Sequence, residues 1–233
     1  MKNQILEKLK KLNLNEKQNL FFKLTSFENN SIQIEDETYQ VDKFEVLNAL
    51  MELGVDVNLK DDAGNTPLFF SKTKEMAEFL IQHGADVNVQ NKYGSTSLFF
   101  TNLKEIAELL IQHGANVNTK DMDGETPLFC IGSTEMAENL IQHGADVNTK
   151  NNNGNTPIYW HSEQEMIEFL IQQGADLNAR NHQGQTPAEY HRKNHEEDIA
   201  LFLEQKVIEF EREKLNQNLS QSQKSSNNPQ YRL

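Results

Sequence analysis

The chain has 233 residues, of which 22 are lysine or arginine and 35 are aspartate or glutamate, so that its net charge is -13. This excess of negative charge argues against a nucleic-acid backbone or an anionic membrane as the main partner, and it favours a basic or neutral protein. The single cysteine, Cys130, cannot form an intramolecular disulfide, and a structural zinc site built from cysteines is excluded.

No secretory signal is visible at the N-terminus, because charges interrupt the segment MKNQILEKLKKLNLNEKQNLFF throughout. Nor does any run approach the roughly 18 apolar residues that a membrane span needs. We therefore expect a soluble protein that acts in the cytoplasm. Export into a host cell, through a signal other than a cleaved N-terminal peptide, is the alternative.

Residues 1–42 contain a leucine-rich helical start followed by an alternating stretch, SIQIEDETYQV, that predicts a strand or a hairpin. We expect this segment to cap the structure that follows it, with a separate function as the alternative. The next stretch, KFEVLNALMELGVDVN, predicts a helix that ends at a glycine.

Beyond this point the sequence repeats every 30 residues, and two glycine series keep the period. Their members are Gly54, Gly84, Gly114, Gly144 and Gly174, and ten residues further on Gly64, Gly94, Gly124, Gly154 and Gly184. Amphipathic stretches such as KEMAEFLIQHG predict a helix that ends at each glycine of the first series. After the second series, Thr-Pro supplies a cap and a first residue for a short helix, although Ser97 replaces proline in one unit. No unit can bury its apolar face alone, so the units must stack.

The phrase D-x-x-G-x-T-P-L, followed by a helix that ends in H-G-A-D-V-N, resembles the ankyrin repeat over residues 43–204. The resemblance implies an all-α repeat solenoid of helix-turn-helix units with extended β-turn connections, and it implies binding to another protein. The predicted divisions are a capping segment (1–42), a half repeat (43–60), four repeats (61–90, 91–120, 121–150 and 151–180), a C-terminal cap (181–213) and a disordered polar tail (214–233).

These units have 30 residues where the family usually has 33, and the loss falls between the two helices. Three residues are just under one helical turn, so we expect the first helix to be shortened by a turn. The last unit regains the three residues, because Thr186 and Ile199 are 13 positions apart, against 10 between Thr66 and Met76. The tail, residues 214–233, has too little apolar surface to offset its ordering entropy and is predicted to be disordered.

The resemblance also implies which residues face a partner. The groove-facing position near the end of each short helix holds Phe70, Phe100, Cys130, Trp160 and Tyr190. The turn tips contribute Lys92, Tyr93, Met122, Asp123 and His182. Exposed aromatic side chains are typical interface anchors. The alternative for this aromatic column is that its rings fold inward and refill the volume of the shortened helix. We favour Trp160 and Tyr190 as contacts, with Phe69 and its equivalents filling the core.

No residue pattern indicates catalysis, a cofactor or a metal. Glutamates recur at 30-residue spacing on what should be the solvent face of each long helix, as at Glu75 and Glu78. His83 and its repeat equivalents fall in repeats stacked about 10 Å apart, too far for shared ligation. Phosphate-binding and dinucleotide-binding loops are absent from the sequence, and so is a G-x-S-x-G motif.

We therefore expect a binding module that is monomeric on its own and not an enzyme. One sharper hypothesis is an acidic inhibitor or immunity protein that covers a basic partner. The alternative is a secreted bacterial effector that uses its repeats to engage host proteins.

Overall fold

The computed structural model describes residues 2–26, 31–34 and 37–226, which form parts of two compact units, Met1–Asp146 (unit 1) and Val147–Leu233 (unit 2). Single-turn 3₁₀ helices carry the label η. Unit 1 contains α1 (Lys2–Lys11), α2 (Leu14–Ser26), β1 (Ser31–Ile34), β2 (Glu37–Gln40), α3 (Lys43–Glu52), η1 (Pro67–Phe70), α4 (Lys74–Gln82), η2 (Ser97–Phe99), α5 (Lys104–Gln112), α6 (Pro127–Cys130) and α7 (Thr134–Gln142). Unit 2 contains η3 (Pro157–Tyr159), α8 (Gln164–Gln172), α9 (Pro187–Lys193) and α10 (Glu197–Ser226).

The N-terminal segment folds as two helices and a hairpin. Asn13 and Glu16 form a capping box at the start of α2, since the side chain of each accepts from the backbone N–H of the other at 3.0 and 2.8 Å. Strands β1 and β2 pair antiparallel, which settles the strand-or-hairpin alternative for the described residues. Helix α2 packs against α3 and η1, next to the first complete repeat.

The long helices of the repeats end at the predicted glycines, and α4 and α7 also begin at a side-chain cap, which α5 and α8 lack. At the start of α4, Thr73 Oγ1 accepts from the Met76 N–H at 3.3 Å, which satisfies one donor of the first turn. At its end, Gly84 has a φ of +92°, and the Ala85 N–H donates to the Leu80 carbonyl at 2.9 Å. This is a left-handed glycine C-cap, and it recurs at 30-residue spacing.

The first helix of each repeat is reduced to a single turn. η1, η2, α6 and η3 have three or four residues, and three of the four are 3₁₀ rather than α-helical. The predicted shortening is therefore present, in a tighter helical form than expected. Short pieces of this kind are where 3₁₀ geometry is usually found.

The core follows the 30-residue period. The leucine or isoleucine after Thr-Pro or Thr-Ser, at 68, 98, 128 and 158, is at most 3% exposed. The small or apolar residue at 77, 107, 137 and 167 is fully buried, and the leucine at 80, 110, 140 and 170 is at most 1% exposed. Each of the four 30-residue repeats thus contributes the same three layers to the core.

The C-terminal cap, residues 181–213, differs from the four repeats before it. Its first helix, α9, has seven residues and a capping box between Thr186 and Glu189, so the three additional residues lengthen this helix. His195 takes a φ of +66°, the one non-glycine residue of the described chain in this conformation.

The predicted disorder of residues 214–233 needs correction, because α10 continues to Ser226. Good helix formers such as glutamate, lysine and leucine occupy its middle, and this propensity carries the helix past the packed region. The side chains of residues 214–219 are exposed. Residues 227–233 lie outside the described residues.

Candidate functional site

The aromatic column of unit 1 lies at or just after the end of each short helix. Phe100 is 54% exposed, and Cys130 is also exposed. Phe70 is only partly exposed, because its ring meets Phe22 of α2 edge to face at 6.0 Å between centroids. In unit 1 the surface position is therefore open at the second and third repeats and partly covered at the first.

In unit 2 one residue of the aromatic column is again exposed and the other partly covered. Trp160 is 48% exposed, whereas Tyr190 is only partly exposed. The Tyr190 ring packs against Tyr159 at 5.4 Å and against His191 at 5.8 Å. Of the two residues favoured from the sequence, Trp160 is the more exposed.

The residue before this position is buried in three of the short helices, whereas Phe69 in η1, which was predicted to fill the core, is only partly buried and packs against Phe100 at 5.7 Å between ring centroids. Phe99, Phe129 and Tyr159 are 8%, 5% and 1% exposed. Phe100 and Trp160 are therefore not folded inward, whereas Phe70 and Tyr190 are partly covered. At the end of one helical turn, two adjacent aromatic residues thus face opposite ways, Phe99 and Tyr159 toward the core and Phe100 and Trp160 toward solvent.

Tyr159 shows how this inner layer is fixed. Its hydroxyl donates toward the Ala179 and Gln185 carbonyls, at 2.5 and 2.7 Å. Burial raises the pKa of Tyr159 to about 12, so the phenol keeps its proton at pH values where an exposed tyrosine would lose it. The inner residue of unit 2 is thus locked by hydrogen bonds, which leaves Trp160 beside it on a rigid turn.

Two apolar side chains stand at turn tips of unit 1. Tyr93 is 64% exposed and Met122 is 69% exposed. The Asn91 side-chain oxygen accepts from the Tyr93 N–H at 2.9 Å, and the Met122 N–H donates to the Tyr93 carbonyl at 2.8 Å. The backbone of each tip is held while its side chain faces solvent, an arrangement that suits contact with a partner.

The three polar tip residues predicted from the sequence, Lys92, Asp123 and His182, are also exposed. Lys92 donates its backbone N–H to the Ala63 carbonyl in unit 1, and His182 donates to Asn153 in unit 2, each at 2.9 Å. Successive tips within a unit are therefore joined through the backbone.

Sequence reasoning missed the residues that build these tips. The first turn residue, Asp or Asn at 61, 91, 121, 151 and 181, accepts from the N–H groups two and four residues later. A second series joins neighbouring repeats: Asn58 donates to the Gly84 carbonyl at 2.9 Å and accepts from the Asp86 N–H at 2.9 Å. Both series keep the 30-residue period, which is the signal that could have revealed them.

Cys130 is not an activated nucleophile. Although the residue is exposed, packing around its sulfur raises the pKa of the thiol to about 11, and the nearby Glu125 and Asp121 carboxylates add to the shift. The same carboxylates make the surface beside Cys130 negative.

The glutamate column lies on a solvated face. Glu75, Glu105 and Glu135 are exposed, and Lys104 pairs with Glu135 at 3.1 Å. The His83 Nδ1 lies 2.7 Å from the Phe79 carbonyl, a helix-end contact. Among the described residues no group of three His, Cys, Asp or Glu side chains is placed to hold a metal ion. None of the described helices is long and apolar enough to cross a membrane.

Comparison with known proteins identifies the repeat. The family model described as ankyrin repeats, three copies, matches residues 38–121, 72–151, 100–181 and 129–214, and so covers 38–214. A search of curated proteins finds no match. Repeats of this family form protein-protein interaction modules that are in general not enzymes. The predicted all-α repeat solenoid is confirmed, and the chain belongs to the ankyrin-repeat family.

Proposed function

We propose that the protein binds a partner protein through exposed apolar side chains at its turn tips and at the ends of its short helices. In unit 1 these side chains are Tyr93, Phe100 and Met122, together with the exposed Cys130, which is the equivalent of Phe100 in the next repeat. In unit 2 the side chain is Trp160, with Tyr190 at its margin. We refer to these residues as the apolar contact residues.

The observation that carries the proposal is the exposure of large side chains on a fixed backbone. Tyr93, Phe100, Met122 and Trp160 are 48–69% exposed. Phe99 and Tyr159, next to Phe100 and Trp160, already fill the core, and Tyr93 and Met122 stand at turn tips. The Phe100 ring meets Phe69 at 5.7 Å between centroids and is still 54% exposed, so core packing does not account for these large side chains. Large apolar groups held in place by a rigid scaffold lose little conformational entropy on binding, and this favours them as interface anchors.

The charge of the chain supports a basic or neutral partner. The net charge of -13 would speed the approach of a positively charged protein. Asp121, Asp123 and Glu125 place part of this charge beside Met122 and Cys130. A partner with lysine or arginine around an apolar patch fits this surface, and an inhibitor or immunity protein acting on a basic enzyme is one such case.

Site-specific photocrosslinking tests the proposal. A photoreactive residue at position 100 or 160 should yield covalent adducts with the partner in cells of the native source. Matched controls come from exposed apolar residues outside the surface: Leu14 on α2, 53% exposed, and Phe210 on α10, 64% exposed. The proposal would be refuted if positions 100 and 160 gave no adducts, or if the control positions gave adducts as abundant as those from 100 and 160.

Where the protein acts is also a proposal. We place the interaction in the cytoplasm, with the chain monomeric on its own, and export into a host cell is the alternative. Deletion of residues 216–233 distinguishes the two, because an export signal in the tail predicts that the deletion abolishes secretion.

A further inference from the structure

Leu103 stands at the start of α5, at a position where the other 30-residue repeats have polar residues. The equivalent residues are Thr73, Ser133 and Glu163. Leu103 is 45% exposed, and its repeat also contributes Tyr93 and Phe100, which are 64% and 54% exposed. Repeat 91–120 thus carries three large apolar side chains that face solvent.

The position of Leu103 is the N-cap of a helix, where a side-chain oxygen commonly accepts a backbone N–H of the first turn. Thr73 on α4 and Ser133 on α7 each accept from the N–H three residues later, at 3.3 Å. Leucine has no oxygen to offer, and the Ile106 N–H of α5 donates to the Leu103 carbonyl instead, at 3.1 Å. Helix α5 therefore begins without the side-chain hydrogen bond that stabilises α4 and α7.

Glu163 in unit 2 also begins a helix without a side-chain cap. Its carboxylate, however, lies at the positive end of the helix dipole, where a negative charge is favourable. Leu103 has neither a hydroxyl group nor a charge. A single exposed leucine is ordinary on a protein surface, but one that replaces a cap also costs the fold stability, and departures of this kind from local rules are concentrated at functional sites.

The backbone that carries Leu103 is fixed. The Oγ1 of Thr101, a residue that is 9% exposed, accepts from the Leu103 N–H and donates to the Leu103 carbonyl, both at 3.4 Å. The Phe100 N–H donates to the Ser97 carbonyl at 3.1 Å. Phe100 and Leu103 thus lie three residues apart on a connection whose backbone is held, so contact with a partner would cost little further ordering.

We propose that Leu103 is a further contact residue for the partner protein, and that Leu103 and Phe100 together receive an apolar side chain of that partner. This role rests on the proposed function, and it adds a residue at the start of a long helix to the apolar contact residues. The leucine then stabilises the complex, whereas Thr73 at the equivalent position stabilises the isolated fold. Repeat 91–120 is accordingly the main contact of unit 1.

The variant Leu103→Thr separates a binding role from a packing role within the fold. Threonine restores the hydroxyl group that Thr73 supplies to α4, while it removes most of the exposed apolar surface. The melting temperature of the full-length chain should therefore be unchanged or up to about 4 °C higher. A melting temperature more than about 2 °C lower would show that the covered part of Leu103 packs in the fold, and it would overturn the proposal.

The binding test uses the partner protein that a photoreactive residue at position 160 captures, purified and titrated by calorimetry against the full-length chain. Leu103→Thr should raise the dissociation constant at least about tenfold, because the partner's apolar side chain loses its contact. Leu103→Met keeps an apolar side chain at the position, so its dissociation constant should stay within about threefold of the unmodified chain.

Ser97→Pro is the matched control for a change of stability in the same repeat. Ser97 is 4% exposed, its Oγ has no hydrogen-bond partner among the described residues, and the other repeats have proline at this position. Proline should raise the melting temperature without changing the exposed surface. The dissociation constant of this variant should therefore change by less than about twofold.

The outcomes distinguish the role of Leu103 from the proposed function. A dissociation constant that Leu103→Thr leaves unchanged, or that Leu103→Thr and Ser97→Pro raise equally, would overturn the role of Leu103. Phe100→Ala should raise the dissociation constant at least about tenfold, so an effect in Phe100→Ala and none in Leu103→Thr would leave the proposed function standing. Absence of adducts from positions 100 and 160 would overturn the proposed function, and the role of Leu103 with it.

Discussion

Gly94 and Gly114 allow two costs of an added methyl group to be separated. Both residues have positive φ, +80° and +88°, a conformation that costs an L-residue about 1–2 kcal/mol. A Cβ on Gly114 would meet no heavy atom within 4 Å, whereas a Cβ on Gly94 would lie 3.0 Å from Met122 N and from the Asp121 backbone. The Met122 N–H donates to Tyr93 across the two tips, so the methyl group would press directly on that hydrogen bond.

We expect Gly114→Ala to lower the free energy of unfolding by about 1–2 kcal/mol, from the backbone conformation alone. Gly94→Ala should lower it by about 2–5 kcal/mol, because the clash with fixed backbone atoms adds about 1–3 kcal/mol. Urea unfolding followed by far-ultraviolet circular dichroism measures both, at equal m-value. An equal loss in the two variants, or a larger one in Gly114→Ala, would refute the close packing of the tips.

Tyr159→Phe removes the single hydroxyl proton that lies between the Ala179 and Gln185 carbonyls and should lower the free energy of unfolding by about 1–3 kcal/mol. Tyr93→Phe at an exposed tip should stay within about 0.5 kcal/mol. Because the folded chain holds the pKa of Tyr159 at about 12, above the ordinary 10.0, the hydroxyl contributes its full stability below pH 10 and loses it as the pH rises toward 12. Urea midpoints across this range should fall more steeply for the unmodified chain than for Tyr159→Phe. The thiol pKa of Cys130 is about 11, against an ordinary 9.0, so the folded chain should have about a hundredfold less thiolate at pH 8 than the unfolded chain. Cys130 should therefore react more slowly with iodoacetamide in the folded chain, and a faster reaction there than in the urea-unfolded chain would contradict the prediction. Truncation after Glu213 should change the free energy of unfolding by less than about 0.5 kcal/mol, since the side chains of residues 214–219 are exposed; a larger loss by urea unfolding would show that this part of α10 is packed.

The 30-residue period made much of the fold predictable. It located the long helices and their glycine ends, because both depend on local chemistry that every repeat contains. The shortened first helix followed from comparing the 30-residue repeat with the usual 33-residue repeat of the family it resembles. The core leucines followed from the same register. The Asp and Asn residues of the turns keep the same period, and their capacity to accept hydrogen bonds from the turn backbone would have identified them as well.

Other features depend on packing that one sequence does not encode locally. Phe99 and Phe100 are adjacent and chemically identical, and only the geometry of a single 3₁₀ turn makes one buried and the other exposed. The cover of Phe70 depends on Phe22, which belongs to a segment without repeat character. A cavity of about 600 Å³ between α1 and α3 arises from the same segment, so the period gave no sign of it.

The most direct test of the proposed function is the dissociation constant for the purified partner, once crosslinking has identified it. Calorimetry should compare the unmodified chain with the triple variant Tyr93→Ala, Phe100→Ala and Met122→Ala, and with Leu14→Ala as the exposed apolar control. Loss of buried anchor residues should weaken binding of the triple variant at least about thirtyfold, with the control within about twofold. An unchanged dissociation constant for the triple variant, or an equal loss in the control, would contradict binding through the apolar contact residues.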